Sequence, residues 1–413
     1  MSRATNYQGG GDQPTRRALL CAAGVAGTAG LAGCLGDTGG GTDTVTYALV
    51  NPISGAYSSL APAQRAGAEL AVETITDSDE FSFEVEAVTG DTETDPTAGT
   101  QAATRLIQQE GADYVMGAIS SSVALALNEL AADEGVIYNP GGAAVPITGA
   151  ECNEWVFRAE TNTAQIAEAV SAYTANNLGS KVWFHIADYA YGESVLERTQ
   201  ARMESANDDF EVVGTSRSQL GANNYDSFIS DIDNSEAEVA VLGMTGGDLI
   251  TFVGQAASQG LKESVDLMSP TMTFQVVRGA LGEAAVGTFG GARYLPSLDT
   301  GNNPEFVEAY RAENDSPPDN FARVGYQSLM MTARGIEAAG STDPADVKDI
   351  PAGMEVDSIF GPNRFRECDH QALNPTWMAE NVAGSGEVAD VELLSKVEGS
   401  DAALPCEETG CSL

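Results

Sequence analysis

From residue 44 onward, β-leaning and helix-leaning runs alternate almost without interruption, and this alternation admits few architectures. "TVTYALV" (44–50) is followed by a helical pattern over 57–76. "FSFEVEAV" (81–88) leads to a helix over 96–110, with Asp95 as N-cap and Pro96 at the first helical position. "DYVMGAI" leads to a helix over 122–133, and "VIYNPG" closes this first series. A second series then starts with a helix over 162–177, strand "KVWFHIA" (181–187) and a helix over 193–205. It continues with strand "FEVVGTS" (210–216), a helix around 227–233, strand "AEVAVLGM" (237–244) and a helix over 249–259. Such spacing builds parallel sheets covered on both faces through right-handed crossovers.

The expectation is therefore an α/β protein of two doubly wound parallel-sheet lobes with a ligand cleft between them. The expected bounds are 44–161 plus 292–351 for lobe I and 162–291 plus 352–390 for lobe II, with 391–413 as a C-terminal tail. Helical patterns at 304–313 and 323–339 have no strands of their own and are expected to return over the first lobe. Open parallel sheets bind ligands beyond the carboxyl ends of their strands, so the strand-to-helix turns are the candidate site.

Charge narrows the partners. Sixty acidic residues stand against 20 basic ones, a formal net charge of −40, and lysines occur only at 181, 262, 348 and 396. That field repels nucleic acid and anionic lipid surfaces, which excludes both. The carboxylates are dispersed along the chain rather than gathered in a tail. Their self-repulsion is relieved in molar salt, where the screening length falls to about 3 Å. The composition resembles that of proteins from salt-loving archaea; the alternative is an ordinary acidic protein.

Residues 15–34, "TRRALLCAAGVAGTAGLAGC", begin with Arg16 and Arg17 and run through a weakly apolar Gly/Ala stretch. This resembles a twin-arginine export signal over 1–33 ending in a lipoprotein cleavage box, with Cys34 as the lipidated first residue of the mature chain. A short membrane anchor over 18–35 is the alternative, and its glycine content and low bulk argue against it. Residues 34–43 read as a flexible tether. No later stretch is apolar enough to span a bilayer, so the expectation is an extracellular protein held on the outer face of the membrane by its lipid anchor alone. Cys152, Cys368, Cys406 and Cys411 are disulfide candidates in that oxidising compartment. The short "CEETGC" spacing favours Cys406–Cys411 and leaves Cys152–Cys368. A metal site would need paired Cys-x-x-Cys or nearby histidines, and none is expected. The sequon at Asn314 permits glycosylation.

No phosphate loop, nucleophile elbow or zinc helix occurs, and the two histidines are His185 and His370. His185 lies in an apolar strand pattern and reads as a core residue. The expectation is a binding protein rather than an enzyme, without a cofactor. At Ser120, Ser121 and Ser122 a helix N-terminus offers unpaired N–H groups and partial positive charge suited to a carboxylate, and the hydroxyls can donate to the same anion. Alternatively, one serine caps the helix and the others are small fillers. Gly141 and Gly142 in the next turn let a ligand approach the backbone closely. Tyr57 and Tyr191 fall at strand-to-helix turns, one per lobe, either facing the cleft or packing on their own helices.

"NPISGAYSSLAPAQRAGAELAVETI", "GDTETDPTAGTQAATRLIQQEGADYVMGAISSSVALALNELAADEGVIYNPGGAA", "DYAYGESV" and "GPNRFRECDHQALNPTW" resemble, in order and spacing, the branched-chain amino-acid-binding family. These are extracellular solute-binding proteins of ABC importers, and the resemblance runs from about 45 to about 382. It implies a two-lobed, non-catalytic monomer that closes around a small-molecule ligand and docks on membrane permease subunits. It places the ligand's α-carboxylate on Ser121, with Gly141, Gly142 and Ala143 completing that end; Ala143 lacks the hydroxyl often found there. It has Tyr57 and Tyr191 closing over the ligand. The acidic partner of the ligand ammonium falls on Thr271, beside Met272. Asp248 is either a substitute carboxylate from a neighbouring turn or the N-cap of its own helix. Without a countercharge a desolvated ammonium costs several kcal/mol, so the implied ligand is an amino acid or a related amide, urea-like compound or carboxylate. The alternative function is the ligand-binding sensor subunit of a signalling complex, which, ending at "CEETGCSL", would act through a partner.

Overall fold

Four strands form the first sheet: β1 (Asp43–Asn51), β2 (Phe83–Asp91), β3 (Tyr114–Gly117) and β4 (Ile137–Pro140). All are parallel, in the order β2-β1-β3-β4. The coordinates are a computed structural model that describes residues 43–413 except 385 and 387. The expected signal, the tether up to residue 42, and the lipidation site Cys34 lie outside the described residues. Helices α1 (Ala61–Thr76), α2 (Pro96–Glu110) and α3 (Ser121–Glu134) make the crossovers. Strands β3 and β4 are buried throughout because helices cover both sheet faces, which explains their unbroken apolar character. Asp95 caps α2 as expected, its Oδ1 accepting from Ala98 N at 2.9 Å. Helix α1 starts at Ala61 rather than near Tyr57. The Asp91 carboxylate accepts from Ser54 N and Oγ, and Thr94 Oγ1 accepts from Tyr57 N, so the preceding segment is held as a turn.

The second sheet contains β5 (Lys181–Ala187), β6 (Glu211–Ser218), β7 (Val239–Gly243), β8 (Asp266–Ser269) and β9 (Phe289–Ala292). Helices α4 (Thr163–Tyr173), α5 (Ala190–Ala206), α6 (Asp226–Asp233), α7 (Gly246–Gln259) and α8 (Gln275–Leu281) accompany it. Asn162 opens α4 with a reciprocal capping box to Gln165. The sheet then departs from a purely parallel one. Strands β12 (Thr376–Val382) and β13 (Asp390–Val397) join antiparallel beside β9, giving the order β13-β12-β9-β8-β7-β5-β6.

Helices α9 (Asn303–Glu313) and α10 (Asn320–Ala339) follow β9, and α10 lies along α1. Two glycines permit that approach: a Cβ at Gly67 would stand 1.9 Å from Ala322 O, and one at Gly325 would stand 2.2 Å from Gln64 O. Side chains from α10 complete the first-sheet core with Tyr47, Leu49 and Phe157.

Three expectations are corrected. Residues 352–375 were assigned to the second lobe, but Val356, Phe365 and Ala372 pack into the first-sheet core, and Phe365 sets its ring edge on Phe157. The short hairpin β10 (Val356–Ser358) and β11 (Gly361–Asn363) belongs to this segment. The region from 391 is not simply a tail, because β13 extends to Val397 and pairs with β12 along its length. The disulfides are Cys152–Cys411 and Cys368–Cys406, not the local pairing. A 3₁₀ turn at Cys406–Glu408, closed by Thr409 Oγ1 donating to Cys406 O, carries the last residues across two distant segments. Each cysteine there finds its partner by tertiary proximity, with Cα separations of 5.9 Å and 5.6 Å.

Candidate functional site

In a doubly wound sheet the crevice opens where successive crossovers leave in opposite directions. In the first sheet this switch lies between β1 and β3, and in the second between β5 and β7. The turns beyond those four strand ends carry Tyr57, Ser120–Ser122, Tyr189, Tyr191 and Thr245. Between them lies a cavity of about 20 Å³, room for one water, lined by Ile119, Gly141, Ala143, Tyr189, Tyr191, Thr245, Thr271 and Arg293 among others, with Tyr57 and Ser120–Ser122 outside that lining. A larger groove of about 360 Å³ opens between Ser59, on the same turn as Tyr57, and Gln275 and Tyr310.

The cleft is closed. Tyr57 and Tyr189 join their hydroxyls across it, and Phe274 meets Phe321 edge-on with ring centroids 5.2 Å apart. Ser122 Oγ accepts from Ala190 N at 3.4 Å, and Val145 N donates to Ser194 Oγ at 3.0 Å. Burial pushes the phenols of Tyr57, Tyr189 and Tyr191 upward, so all three are neutral hydroxyls.

The first-sheet face is built from backbone. After Gly117, Ala118 adopts a left-handed φ of 53° and turns the chain so that α3 points its N-terminus inward. Ser120 is the N-cap residue, yet its Oγ makes no capping bond and, 2% exposed, has no partner. Ser121 Oγ accepts from Ala144 N at 3.1 Å, which ties the two turns together. Gly141 lines the cavity and also makes room for α1, because a Cβ there would lie 2.2 Å from Gln64 Nε2. At Gly142 a Cβ would meet Ile147 Cδ1 at 2.9 Å. Behind this turn, buried Arg158 donates to Gly142 O at 3.2 Å and Ala144 O at 2.6 Å. Burial lowers its pKa to about 9, which still leaves it charged at neutral pH.

The second-sheet face is built from side chains. Tyr191 OH accepts from Arg293 Nη2 at 3.3 Å. Thr271 Oγ1 donates to Met244 O at 3.1 Å, and Thr245 Oγ1 is buried without a partner. Asp248 is neither the N-cap, which is Thr245, nor a free carboxylate: both its oxygens accept from Gly221 N, at 3.0 and 3.1 Å. Burial raises its pKa to about 6, against the lowering effect of that N–H.

Sequence reasoning missed Tyr189, Thr245, Phe321, Glu160 and Arg293. Arg293 is the most consequential. It follows β9 in "GGARYLP", and an arginine in an apolar run of a chain with only 20 basic residues was the available signal. His185 sits in the core as expected, between Tyr225, Phe228 and Phe252, and burial lowers its pKa to about 4.

Known proteins share this arrangement. A leucine-, isoleucine-, valine-, threonine- and alanine-binding protein of Pseudomonas aeruginosa is 23% identical over 79% of this chain and 86% of its own. A Leu/Ile/Val-binding protein homologue of Brucella melitensis is 26% identical over 78% of this chain and 87% of its own. Among solved structures, a solute-binding protein of an ABC transporter from Rhodopseudomonas palustris in complex with benzoate superposes with a TM-score of 0.80 at 25% identity. That match covers 90% of this chain and all of the other. The model of the periplasmic binding protein family matches residues 44–386, most of the chain. With two switch-point turns facing each other across a closed cleft, the chain belongs to the periplasmic binding protein family.

Proposed function

We propose that this chain is the extracellular solute-binding component of an ABC importer, capturing a small polar solute by closure of its two lobes and delivering it to a membrane permease. The observation that carries this reading is the meeting of two switch-point turns across a cavity whose lining includes a buried, unpartnered hydroxyl, Thr245 Oγ1, with a second, Ser120 Oγ, next in the chain to Ile119 of that lining. Buried polar groups are ordinarily satisfied, so such atoms suit a guest that completes their bonding. The Tyr57–Tyr189 contact supports closure as the capture step, since neither hydroxyl could be buried with the lobes apart. The proposed ligand positions remain Tyr57, Ser120, Ser121, Ser122, Gly141, Ala143, Tyr191 and Thr271, now joined by Tyr189, Thr245 and Arg293. One relative is named for binding leucine, isoleucine, valine, threonine and alanine and one neighbour holds benzoate, which supports a ligand of similar size here.

The proposal extends to the chain's place in the cell. A lipid on Cys34 tethers the folded body at the outer membrane face after twin-arginine export, and the protein works as a monomer in high salt. Its excess of carboxylates supports the saline setting. Among the described residues no helix is long and apolar enough to cross a membrane.

The test is thermal unfolding of the purified chain in molar KCl against amino acids, amides, urea, monocarboxylates and dicarboxylates. A solute at one hundred times its dissociation constant stabilises the fold by about 2.7 kcal/mol, a readable shift. A panel in which nothing shifts the transition would sink the solute-binding reading.

A further inference from the structure

Arg293 is 2% exposed, lines the cavity between the lobes, and is under-partnered for a buried guanidinium. Its Nε has no hydrogen-bond partner, and Nη2 donates to Tyr191 OH at 3.3 Å. Its nearest carboxylate oxygen, Glu160 Oε1, lies 3.6 Å from Nη1. Glu160 is shared. Arg323 Nη2 approaches the same oxygen at 3.1 Å, Thr161 N donates to it at 2.6 Å, and Asn320 Nδ2 donates to Oε2 at 2.9 Å. Arg158 adds a third buried guanidinium to this field. Two further carboxyls lie nearby: Asp319 is committed to Phe321 N and Ala322 N at the start of α10, and Asp369, beside Arg158, pairs with Arg366. A chain of net charge −40 thus places a buried guanidinium, and no carboxylate side chain, in the lining of its cavity.

Deepening the solute-binding reading above, on which it rests, we propose that the solute is a small organic anion without an ammonium group, its carboxylate paired to Arg293. An amino acid would bring its ammonium against this buried guanidinium with no carboxylate in the cavity lining to receive it, and a desolvated unpaired cation is strongly unfavourable. A carboxylate instead completes the guanidinium fork with charge-assisted bonds in a water-poor site. On the opposite face the same cavity is lined by Ile119, Gly141 and Ala143, and the unpartnered Ser120 Oγ follows Ile119 in the chain. Arg293 is thus the residue that selects an ammonium-free acid in this chain.

Titration calorimetry in molar KCl with matched pairs tests this. The probes are leucine against 4-methyl-2-oxopentanoate, phenylalanine against phenylpyruvate, glutamate against 2-oxoglutarate, with benzoate and succinate alongside. At least one ammonium-free acid should bind, and each acid that binds should do so ten times or more tighter than its amino counterpart. Arg293→Gln should then weaken that acid tenfold or more, with Arg293→Lys intermediate. The ranking of pairs in the native chain stands even if a variant folds poorly. An amino acid binding tighter than its matched oxo acid, or an unchanged affinity in a folded Arg293→Gln chain, overturns the assignment of Arg293 while leaving solute binding intact. Silence of the whole panel would bring down the solute-binding reading, and this inference with it.

Discussion

The two faces of the cleft are made of different material. On the first-sheet side the site is a backbone surface: the left-handed turn at Ala118, the open N-terminus of α3, and the 141–144 turn clamped from behind by Arg158. On the second-sheet side it is a set of side chains, Tyr189, Tyr191, Thr245, Thr271 and Arg293, whose charge state depends on groups far away in sequence. A backbone surface suits whatever solute offers an acceptor and resists substitution. A side-chain surface can change its guest with a single replacement. Within one fold the first face holds a common feature of the ligand, and the second decides which ligand.

The largest effect should come from the residue that keeps the second face cationic without letting it fall apart. Glu160 is the one carboxylate in direct contact with Arg293 and Arg323, and its side chain is fully buried. Glu160→Gln leaves two buried guanidiniums without a countercharge and should cost about 3–5 kcal/mol in urea unfolding at molar KCl. A loss under about 1 kcal/mol would mean that the arginines find other compensation, and the contrast between the faces would weaken.

Ser120→Ala probes the other face with a smaller change. An N-cap serine normally contributes about 0.5–2 kcal/mol, but Ser120 makes no capping bond. The solute-free stability should therefore move by less than about 0.5 kcal/mol, while solute affinity falls about fivefold to tenfold. The reverse pattern, a destabilised empty chain with unchanged affinity, would identify Ser120 as an ordinary cap.

The third effect concerns Asp248 and is read from pH. Its folded pKa near 6 lies above the ordinary carboxyl value because burial disfavours the charge. The folded chain thus takes up this proton before the unfolded chain does. The stabilisation from this group is fully present below about pH 4 and is lost as the pH rises through 6. Asp248→Asn should remove that slope, so the variant gains on the native chain between pH 4 and 6 and the difference levels off above 7. His185 contributes with the opposite sign. Its folded pKa of about 4 lies below the unfolded value near 6.5, so stability is lost on acidification through that window in both proteins and cancels from the difference. Urea midpoints at half-unit pH steps check this. If saturating leucine flattened the native slope, Asp248 would be receiving an ammonium, and the second face would be less cationic than its geometry indicates.

Much of the scaffold was legible because its signals are local. The strand "KVWFHIA" occupies the expected residues, and Asp95 and Asn162 begin their helices through neighbouring N–H groups. The turn ending at Ser120 was placed correctly for the same reason, since a strand and a helix on either side define where the chain must turn, whereas Tyr191 falls in the first turn of α5, which starts at Ala190 rather than 193. What misled was any inference from nearness in sequence to nearness in space. Cys406 and Cys411 stand five positions apart yet bond to Cys368 and Cys152. Gly141 reads only as an opening for a ligand, but its missing Cβ also makes room for Gln64 of α1.

By itself the sequence determined the alternation of strands and helices, the acidic surface and the cleft-facing turn of α3. All of these follow from hydrophobic period, capping chemistry and charge, which act over a few residues or over the whole chain. Only the tertiary structure decided that Arg293, Arg323 and Glu160 share one buried volume, that strands β12 and β13 extend the second sheet, and that Asp248 is already engaged by Gly221. The electrostatics of a buried group depend on which charges lie within a few ångströms and how little water separates them. In this chain those neighbours come from positions 160, 293 and 323, and folding alone brings them together.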